Sequence, residues 1–446
     1  MTLLVISPDY ASHAMPLLTL ADAWAAAGER VVVATGRAVL PLVERWGFEH
    51  RLLALAAGSN PGIARADEQP AGEDGNLRAF FAATRKGMIV TLRYQAEARS
   101  HDLLWRPDQV AIATLELVDA VRPDWIVVDH LAFGATLGLR AGGVPYADVV
   151  LGHPRQLPVG DDVYGVPSAW PSAFQPATAD IEELSELANR VAVQFSDAHN
   201  SALMALDPTA TPVADAFSAH GSIVLLNYPQ LLHDPARTSR LPAGHAFLGH
   251  LARIEHAPDD IRRWLEAPDD RPLILVSLGT FLSARVDVLA VLAAGLRDLD
   301  VRVALATGSA DPRQIGPLPD HWLVRPHLPQ VALLAQARAL VTHAGNNSVT
   351  EALAHGVPMF VLPFSTDQFD GAAAIEKAGF GTAADPNRLA PEIVSRVVSD
   401  LIAHPRRQLE DLSSSLRAQP GGRVGHAAVS EWAPNSLLNC QCARSA

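Results

Sequence analysis

The chain has 446 residues, of which 49% are hydrophobic, and this length and composition are enough for two domain cores. A net charge of −13 argues against binding to nucleic acid or to an anionic membrane, since both require a basic surface. The two cysteines, Cys440 and Cys442, are interpreted as part of a solvated tail; they are too few for a disulfide framework, which favours a cytoplasmic location. The chain begins without the features of a signal peptide, and no apolar run of about 18 residues predicts a membrane span.

Apolar runs alternate with helical periodicities along the N-terminal half. In chain order the pattern predicts strands at residues 3–7, 30–35 and 124–129 and helices at 16–27 and 133–141, with a further strand after Pro145. Residues 59–104 are predicted to form a long, partly helical insertion. Residues 152–174 are rich in proline, glycine and aromatic side chains.

The same alternation begins again in the C-terminal half. Strands are predicted at residues 272–278, 302–307, 323–326, 339–342 and 358–362, with a helix over 286–299. The pattern is typical of parallel, doubly wound sheets, so we expect an α/β protein with one such sheet in each half. The predicted domains are residues 1–235 and 254–405, joined by a linker at 236–253 and followed by a helix and tail at 406–446.

One turn in the C-terminal half is suited to binding an anion. A strand ends at His343, a turn with Gly345 follows, and a helix is predicted to open on Ser348. The first turn of a helix has unpaired N–H groups and a positive dipole end, so a nucleotide diphosphate is the expected ligand. Ser348 and Glu351 also fit a capping box, which would explain this pair without any ligand but would not explain His343, Gly345 and Asn347.

Several residues around this turn resemble the donor-binding signature of nucleotide-sugar-dependent glycosyltransferases, the group that includes the plant and animal UDP-glycosyltransferases and bacterial natural-product transferases. The resemblance is carried by His327-Leu328-Pro329-Gln330, His343, Gly345, Asn347, Ser348, Glu351, Gly356-Val357-Pro358 and Asp367-Gln368. It implies the GT-B fold, in which two doubly wound, Rossmann-like domains face each other across a cleft, with ligands beyond the carboxyl ends of the strands. The N-terminal domain would bind the acceptor and the C-terminal domain the nucleotide sugar.

The resemblance also implies roles for the residues of the turn. His343, Asn347 and Ser348 would donate hydrogen bonds to the diphosphate. Glu351 would accept hydrogen bonds from the ribose hydroxyls, and Gly345 would let the backbone approach the phosphates without a Cβ in the way.

Five further residues are assigned to the donor by the same resemblance. His327 stands where plant members carry a tryptophan that stacks on uracil, so uracil and thymine both remain open, and Gln330 would contact the edge of the base. Thr280, at the end of a strand, would reach the diphosphate; a plain strand-ending turn is the alternative. Asp367 and Gln368 would bind the hydroxyls of the sugar, or else cap the helix that follows them.

Transfer of a sugar to a hydroxyl requires a base, and histidine suits this task because its pKa lies near the working pH. His13 follows the first strand and precedes Pro16 by three residues, which matches the position of the family's catalytic histidine. A solvated surface histidine is the alternative. Asp129, at the end of a strand, would hold the imidazole tautomer, with Asp9 and Asp22 as weaker candidates.

These features predict an inverting O-glycosyltransferase that moves a hexose from a UDP- or dTDP-sugar, UDP-glucose being the first candidate, to a hydroxyl of a hydrophobic natural-product type molecule. By the same resemblance, residues 59–104 and 152–174 would line the acceptor pocket; ordinary surface loop and helix is the alternative. Helix amides and His343 would stabilise the leaving diphosphate, so neither a metal nor a cofactor is expected. Two alternatives keep the fold: a nucleotide-sugar epimerase or glycan-remodelling transferase, and a degenerate activator subunit of a transferase.

Overall fold

The computed structural model describes residues 1–62 and 73–443, and it describes only the backbone of residues 73–74, 100–102, 280–281 and 433–443. The strands are β1 (Thr2–Ile6), β2 (Arg30–Thr35), β3 (Glu49–Leu52), β4 (Trp125–Asp129), β5 (Ala147–Val150), β6 (Ile223–Leu226), β7 (His245–Phe247), β8 (Leu273–Ser277), β9 (Arg302–Ala306), β10 (Leu323–Arg325), β11 (Ala337–Thr342), β12 (Met359–Val361) and β13 (Gly381–Ala383). The helices are α1 (Ala11–Ala26), α2 (Leu40–Arg45), α3 (Glu73–Lys86), α4 (Met88–Asp102), α5 (Pro107–Val121), α6 (Phe133–Ala141), α7 (Thr178–Leu206), α8 (Pro235–Thr238), α9 (Asp259–Glu266), α10 (Gly279–Leu282), α11 (Val286–Arg297), α12 (Pro312–Ile315), α13 (Gln330–Leu334), α14 (Asn346–His355), α15 (Gln368–Lys377), α16 (Pro391–Ala403), α17 (Arg407–Ala418) and α18 (Gly421–Ala443).

The first sheet belongs to the N-terminal half and has the strand order β3-β2-β1-β4-β5-β6-β7, with every neighbouring pair parallel. Helices cover both of its faces, which is why its central strands are apolar on both sides. On one face Leu3 and Val5 pack with Trp24 of α1, and on the other Leu4 and Ile6 join a separate apolar cluster.

The second sheet has the order β10-β9-β8-β11-β12-β13 and is also parallel throughout. Ile274 and Val276 face the core that includes α11 and α16, whereas Leu273 and Leu275 face the core that includes α14. The expected α/β architecture of two doubly wound sheets is therefore confirmed. The domain boundaries drawn from the sequence stay a prediction.

Two helices begin earlier than the sequence pattern predicts. Helix α1 starts at Ala11, five residues before Pro16, because the extended Tyr10 precedes it and the helix continues through the proline. Helix α14 starts at Asn346, two residues before Ser348. Proline at the first helical position and serine at the cap are favoured placements, and both predictions relied on them.

The end of the chain returns to the first sheet. Val429 of α18 lies in the same apolar core as Leu3 and Trp24, and Nε2 of His426 is 3.3 Å from Oε1 of Glu29. The side chains of Cys440 and Cys442, predicted to belong to a solvated tail, lie outside the described residues. Across the described ranges, no helix is both long and apolar enough to cross a membrane. The cytoplasmic location stays a prediction.

Candidate active site

The structure brings the predicted base and its carboxylate together at the carboxyl edge of the first sheet. His13 lies in the first turn of α1, and its Nδ1 is 2.7 Å from Oδ2 of Asp129, the last residue of β4. The other oxygen of this buried carboxylate accepts a hydrogen bond from the Leu131 amide at 2.9 Å, which fixes its orientation. Burial by itself lowers the pKa of His13, but the charge of Asp129 and its hydrogen bond outweigh burial and raise the pKa overall.

The two weaker candidates for the partner of His13 are used elsewhere. The carboxylate of Asp9 accepts hydrogen bonds from the amides of Ala38 and Val39, at 3.1 and 3.0 Å. Asp22 is exposed on α1. The pairing of His13 with Asp129 leaves Nε2 of the imidazole as the nitrogen available to a hydroxyl group in the cleft.

Pro16 explains how the helix that carries His13 is joined to the second sheet. Proline has no N–H, so Pro16 cannot donate to the carbonyl of Ser12 four residues earlier, and this carbonyl is left without its helical partner. Nδ2 of Asn347 donates to the Ser12 carbonyl at 2.6 Å. Asn347, predicted to donate to the diphosphate, therefore uses its side-chain amide to hold the two walls of the cleft together.

Asn346 makes the same kind of connection. Its Nδ2 donates to the carbonyls of Leu151 and Asn227, at 2.8 and 2.7 Å, just beyond the ends of β5 and β6. Nδ2 of Asn227 in turn donates to Oδ1 of Asn347 at 3.3 Å. No role was predicted for Asn346, and both of its partners lie more than 100 residues away in sequence.

The start of α14 corrects the capping-box alternative. Gly345 is the N-cap and provides no side-chain cap, and the first helical bond runs from the Val349 amide to the Gly345 carbonyl at 3.0 Å. Ser348 is the third helical residue, and its hydroxyl oxygen accepts from Nε2 of Gln330 at 3.1 Å. The backbone amides of residues 346–348 precede the first helical bond, as in other helix starts that bind anions.

His343 lies between two glycines. A Cβ built at Gly279 would be 2.6 Å from Cε1 of His343, and one built at Gly345 would overlap its Nε2. The space that was predicted to admit a phosphate at Gly345 therefore holds the imidazole ring. Burial lowers the pKa of His343 to about 4, so the ring is neutral at pH 7, and its buried Nδ1 has no partner among the described residues.

Glu351 lies in a network that the sequence analysis only partly anticipated. Its Oε1 accepts from Nη1 of Arg253 at 3.0 Å, and its Oε2 accepts from Nε2 of Gln330 at 2.7 Å. Arg253 also pairs with Glu255, at 2.6 Å. Burial raises the pKa of Glu351, although Arg253 and Gln330 oppose this effect. Arg253 was placed at the end of the linker, and nothing in its sequence context indicated this pairing.

Asp367 and Gln368 have different surroundings. Oδ2 of Asp367 accepts from the His153 amide at 2.7 Å, so this carboxylate contacts the segment predicted to line the acceptor pocket. The amide of Gln368 is used within its own loop: Oε1 accepts from the amides of Phe364 and Ser365, at 2.9 and 3.2 Å. The structure therefore brings Asp367 to the cleft and turns the Gln368 side chain away from it, contrary to the predicted sugar contact.

One cleft of about 1090 Å³ receives side chains from both halves of the chain. Its lining includes the predicted residues His13, His327, Gln330, His343, Gly345, Asn347, Ser348, Glu351 and Asp367. Asp129 lies behind His13, and the side chain of Thr280 is outside the described atoms. Burial lowers the pKa of His327. The volume is at the upper end of the range for small-molecule sites, about 300–1,000 Å³, and so has room for two substrates.

The two facing doubly wound sheets, with a cleft at their carboxyl edges, define a GT-B protein. Solved structures support this over almost the whole chain. The glycotransferase of kitacinnamycin is 21% identical with a TM-score of 0.66, covering 96% of this chain and 97% of that chain. The glycosyltransferase VinC, solved in complex with dTDP, is 19% identical with a TM-score of 0.65, covering 96% and 99%.

Sequence comparison adds similarities to glycosyltransferases. The model of UDP-glucoronosyl and UDP-glucosyl transferase matches residues 210–425. The 4'-demethylrebeccamycin synthase of Lentzea aerocolonigenes is 26% identical over 88% of this chain and 90% of that protein. The PGL/p-HBAD biosynthesis glycosyltransferase of Mycobacterium tuberculosis is 33% identical over 37% of this chain and 38% of that protein. The chain is thus similar, in fold and in sequence, to the glycosyltransferases whose donor motif it resembles.

Proposed function

We propose that this glycosyltransferase is an inverting O-glycosyltransferase that moves a hexose from a UDP- or dTDP-sugar to a hydroxyl of a hydrophobic small molecule. The observation that carries the proposal is the placement of two groups on one cleft. The His13–Asp129 pair lies on one side, and the unpaired amides at the start of α14, with His343, lie on the other.

His13 acts as the base in this proposal. The acceptor oxygen forms a bond to the anomeric carbon of the sugar while the bond from that carbon to the diphosphate oxygen breaks. The hydroxyl proton passes to Nε2 of His13, and Asp129 stabilises the imidazolium through Nδ1. Because the acceptor attacks opposite the leaving group in a single displacement, the configuration at the anomeric carbon inverts.

The leaving diphosphate receives its stabilisation from α14. The amides of residues 346–348 point toward the developing negative charge, and the neutral His343 ring donates one N–H. Among the described residues, no group of three His, Cys, Asp or Glu side chains is placed to hold a metal ion. We propose amide and imidazole donors for this task, with the nucleotide sugar as co-substrate and no cofactor.

The rest of the donor is assigned to the side chains that surround this turn. Glu351 accepts from ribose, Asp367 faces the sugar, and His327 with Gln330 lie where the base would bind. VinC and the spinosyn rhamnosyltransferase SpnG were both solved with thymidine diphosphate (dTDP), which supports testing thymidine donors beside uridine donors. Thr280 is kept as a proposed diphosphate contact.

A donor screen followed by one substitution tests the proposal. UDP, dTDP and their glucose conjugates should raise the melting temperature of the wild type, and mass spectrometry with an aglycone panel should show a mass increase of one hexose. His13→Ala should lower transfer about 10²–10⁴-fold while nucleotide binding persists. His404→Ala, at an exposed histidine on the surface, is the control.

Three outcomes would count against the proposal. Transfer that survives His13→Ala unchanged would remove this base from the mechanism. Epimerisation of the donor without any acceptor would favour the epimerase alternative. The activator alternative would be favoured if the protein bound nucleotide sugar without turnover and also increased the activity of a second transferase.

A further inference from the structure

Arg99 is a buried cation beside the segment predicted to line the acceptor pocket. It lies on α4, and only 8% of its surface is exposed. Nη1 donates to the carbonyl of Tyr164 at 3.1 Å, and the guanidinium carbon lies 4.6 Å from the centre of the Tyr164 ring. Burial lowers the pKa of Arg99. The tyrosine thus positions the guanidinium without neutralising its charge.

The backbone is shaped around this guanidinium. Gly165 has a positive φ of 77°, and a Cβ built there would overlap the terminal nitrogens of Arg99. Any larger residue at position 165 would expel the guanidinium and would also be strained in its backbone. The absence of a side chain at Gly165 thus creates the space that the charged guanidinium occupies.

Arg99 lacks the counter-ion that the other buried arginines have. Four arginines are buried in the part of the chain that the structure describes, namely Arg99, Arg237, Arg285 and Arg302. Three of them pair with aspartates: Arg237 with Asp162, Arg285 with Asp287, and Arg302 with Asp269. No described carboxylate lies within ion-pair distance of Arg99, although buried charges are normally paired.

The free edge of the guanidinium is the one that binds carboxylates side-on. Only Nη1 of Arg99 has an acceptor among the described residues, so Nε and Nη2 remain available. Neither nitrogen is among the described buried atoms that lack a partner, so both are open to solvent. These two parallel N–H groups match the two oxygens of a carboxylate.

The aromatic side chains next to Arg99 form one buried cluster. The Tyr164 ring stacks on Phe217 with centroids 4.0 Å apart, and Phe217 stacks on Phe195 at 4.3 Å. On the other side, Asp367 of the cleft is close enough for its charge to favour the Arg99 cation. Arg99 therefore contacts an aromatic cluster of the N-terminal half and interacts electrostatically with Asp367, a residue of the cleft.

We propose that Arg99 binds a carboxylate of the acceptor, so that the acceptors of this enzyme are hydrophobic hydroxy acids. This inference rests on the proposed function, because it assumes an acceptor in the N-terminal half. A ligand carboxylate would supply the missing counter-ion through Nε and Nη2. The carboxylate would fix which hydroxyl group of the acceptor reaches His13.

Matched acids and esters test this assignment. Aromatic hydroxy acids and their methyl esters are titrated into the full-length protein with UDP present, and binding is measured by calorimetry. In at least one pair, the acid should bind the wild type about 10- to 100-fold more tightly than its methyl ester does. Arg99→Met should abolish this ratio and leave ester binding unchanged, and Arg99→Lys should keep part of it, because lysine retains the charge without the fork.

Arg93→Met is the matched control on the same helix. Arg93 pairs with Glu183 at the surface, so its loss should leave the acid-to-ester ratio at the wild-type value. A panel in which no acid binds better than its ester, or a preference that survives Arg99→Met, overturns the proposal. Unchanged ester binding by Arg99→Met shows that the fold of this variant is intact.

The donor measurements separate this inference from the proposed function. If the protein binds the donor and transfers sugar to esters but shows no preference for acids, only the role of Arg99 is refuted. Absence of stabilisation by UDP and dTDP sugars would refute the proposed function. A preference for UDP-glucuronate over UDP-glucose that depends on Arg99 would place the carboxylate on the donor and overturn the assignment to the acceptor.

Discussion

Replacing Gly345 by alanine tests whether the glycine of the donor motif is needed for the His343 ring. The φ of Gly345 is −59°, so the backbone accepts alanine without strain. The added Cβ would lie 2.7 Å from Cε1 of His343, where carbon atoms normally meet at about 3.5–4.0 Å. The ring or the backbone must therefore move by about 1 Å.

Gly279 also lies against the ring, since a Cβ built there would be 2.6 Å from Cε1 of His343, and this limits where the ring can move. Overpacking of this kind costs about 1–3 kcal/mol, and the loss of a glycine cap adds at most about 1 kcal/mol. We expect Gly345→Ala to lower the free energy of unfolding by the sum of these two effects, and to weaken the stabilisation that UDP or dTDP provides.

A double-mutant cycle measured by chemical denaturation separates the two costs. In a His343→Ala background the clash is absent, so Gly345→Ala should then cost only the cap, and the coupling energy should be about 1–3 kcal/mol. Gly371→Ala is the control, because its Cβ would meet only the Ala344 carbonyl, at 3.7 Å. Additive effects, with a coupling below about 0.5 kcal/mol, would refute the argument that the ring requires this glycine.

Three further predictions concern the pH dependence and the contact between the two sheets. Asp129→Asn removes the charge that raises the pKa of His13, so the acid limb of kcat/KM should move to lower pH while its plateau falls about 10²–10⁴-fold. Asn347→Ala leaves the Ser12 carbonyl without a donor and should cost about 1–3 kcal/mol in unfolding free energy. The cost should be smaller in a Pro16→Ala background, because the backbone N–H of Ala at position 16 can donate to the Ser12 carbonyl. Burial raises the pKa of Asp370 from 3.8 to about 6, so the folded state holds this proton more tightly than the unfolded state; wild-type stability should fall by about 2 kcal/mol as pH rises from 4 to 6, and Asp370→Asn should remove this fall.

Each of these predictions has an outcome that contradicts it. An acid limb that does not move in Asp129→Asn would show that this carboxylate does not set the pKa of His13. An equal cost of Asn347→Ala in both backgrounds would disconnect Pro16 from the cross-cleft hydrogen bond. A stability profile of Asp370→Asn parallel to that of the wild type between pH 4 and 6 would assign the pH dependence to other groups.

Local signals were sufficient for the architecture and for most of the cleft. The central strands of both sheets are short, apolar and rich in β-branched residues, and this pattern depends only on neighbours along the chain. The turn after β11 was recognised because histidine, glycine, asparagine and serine occur together in six residues. His13 and Asp129 were paired by resemblance, and the structure places them 2.7 Å apart.

The start of α14 shows where local reasoning was wrong. Serine is a favoured cap, so Ser348 was taken as the first residue of the helix. The helix instead begins at Asn346, because Asn346 and Asn347 bond to carbonyls of the first sheet, and these tertiary contacts outweigh the cap preference. One local signal was available and unused: a proline inside α1 implies a carbonyl with no helical donor four residues earlier.

By itself the sequence determined the two parallel sheets, most of their central strands and the position of the turn after β11, because hydrophobic periodicity and a compact motif are properties of neighbouring residues. Only the tertiary structure decided which polar groups satisfy one another. It joined Glu351 to Arg253, bonded the Gln368 side chain within its own loop, and placed no carboxylate of the described residues within ion-pair distance of Arg99. Hydrogen bonds and ion pairs act over about 3 Å in space and are indifferent to separation along the chain, so no local pattern could have shown these partners.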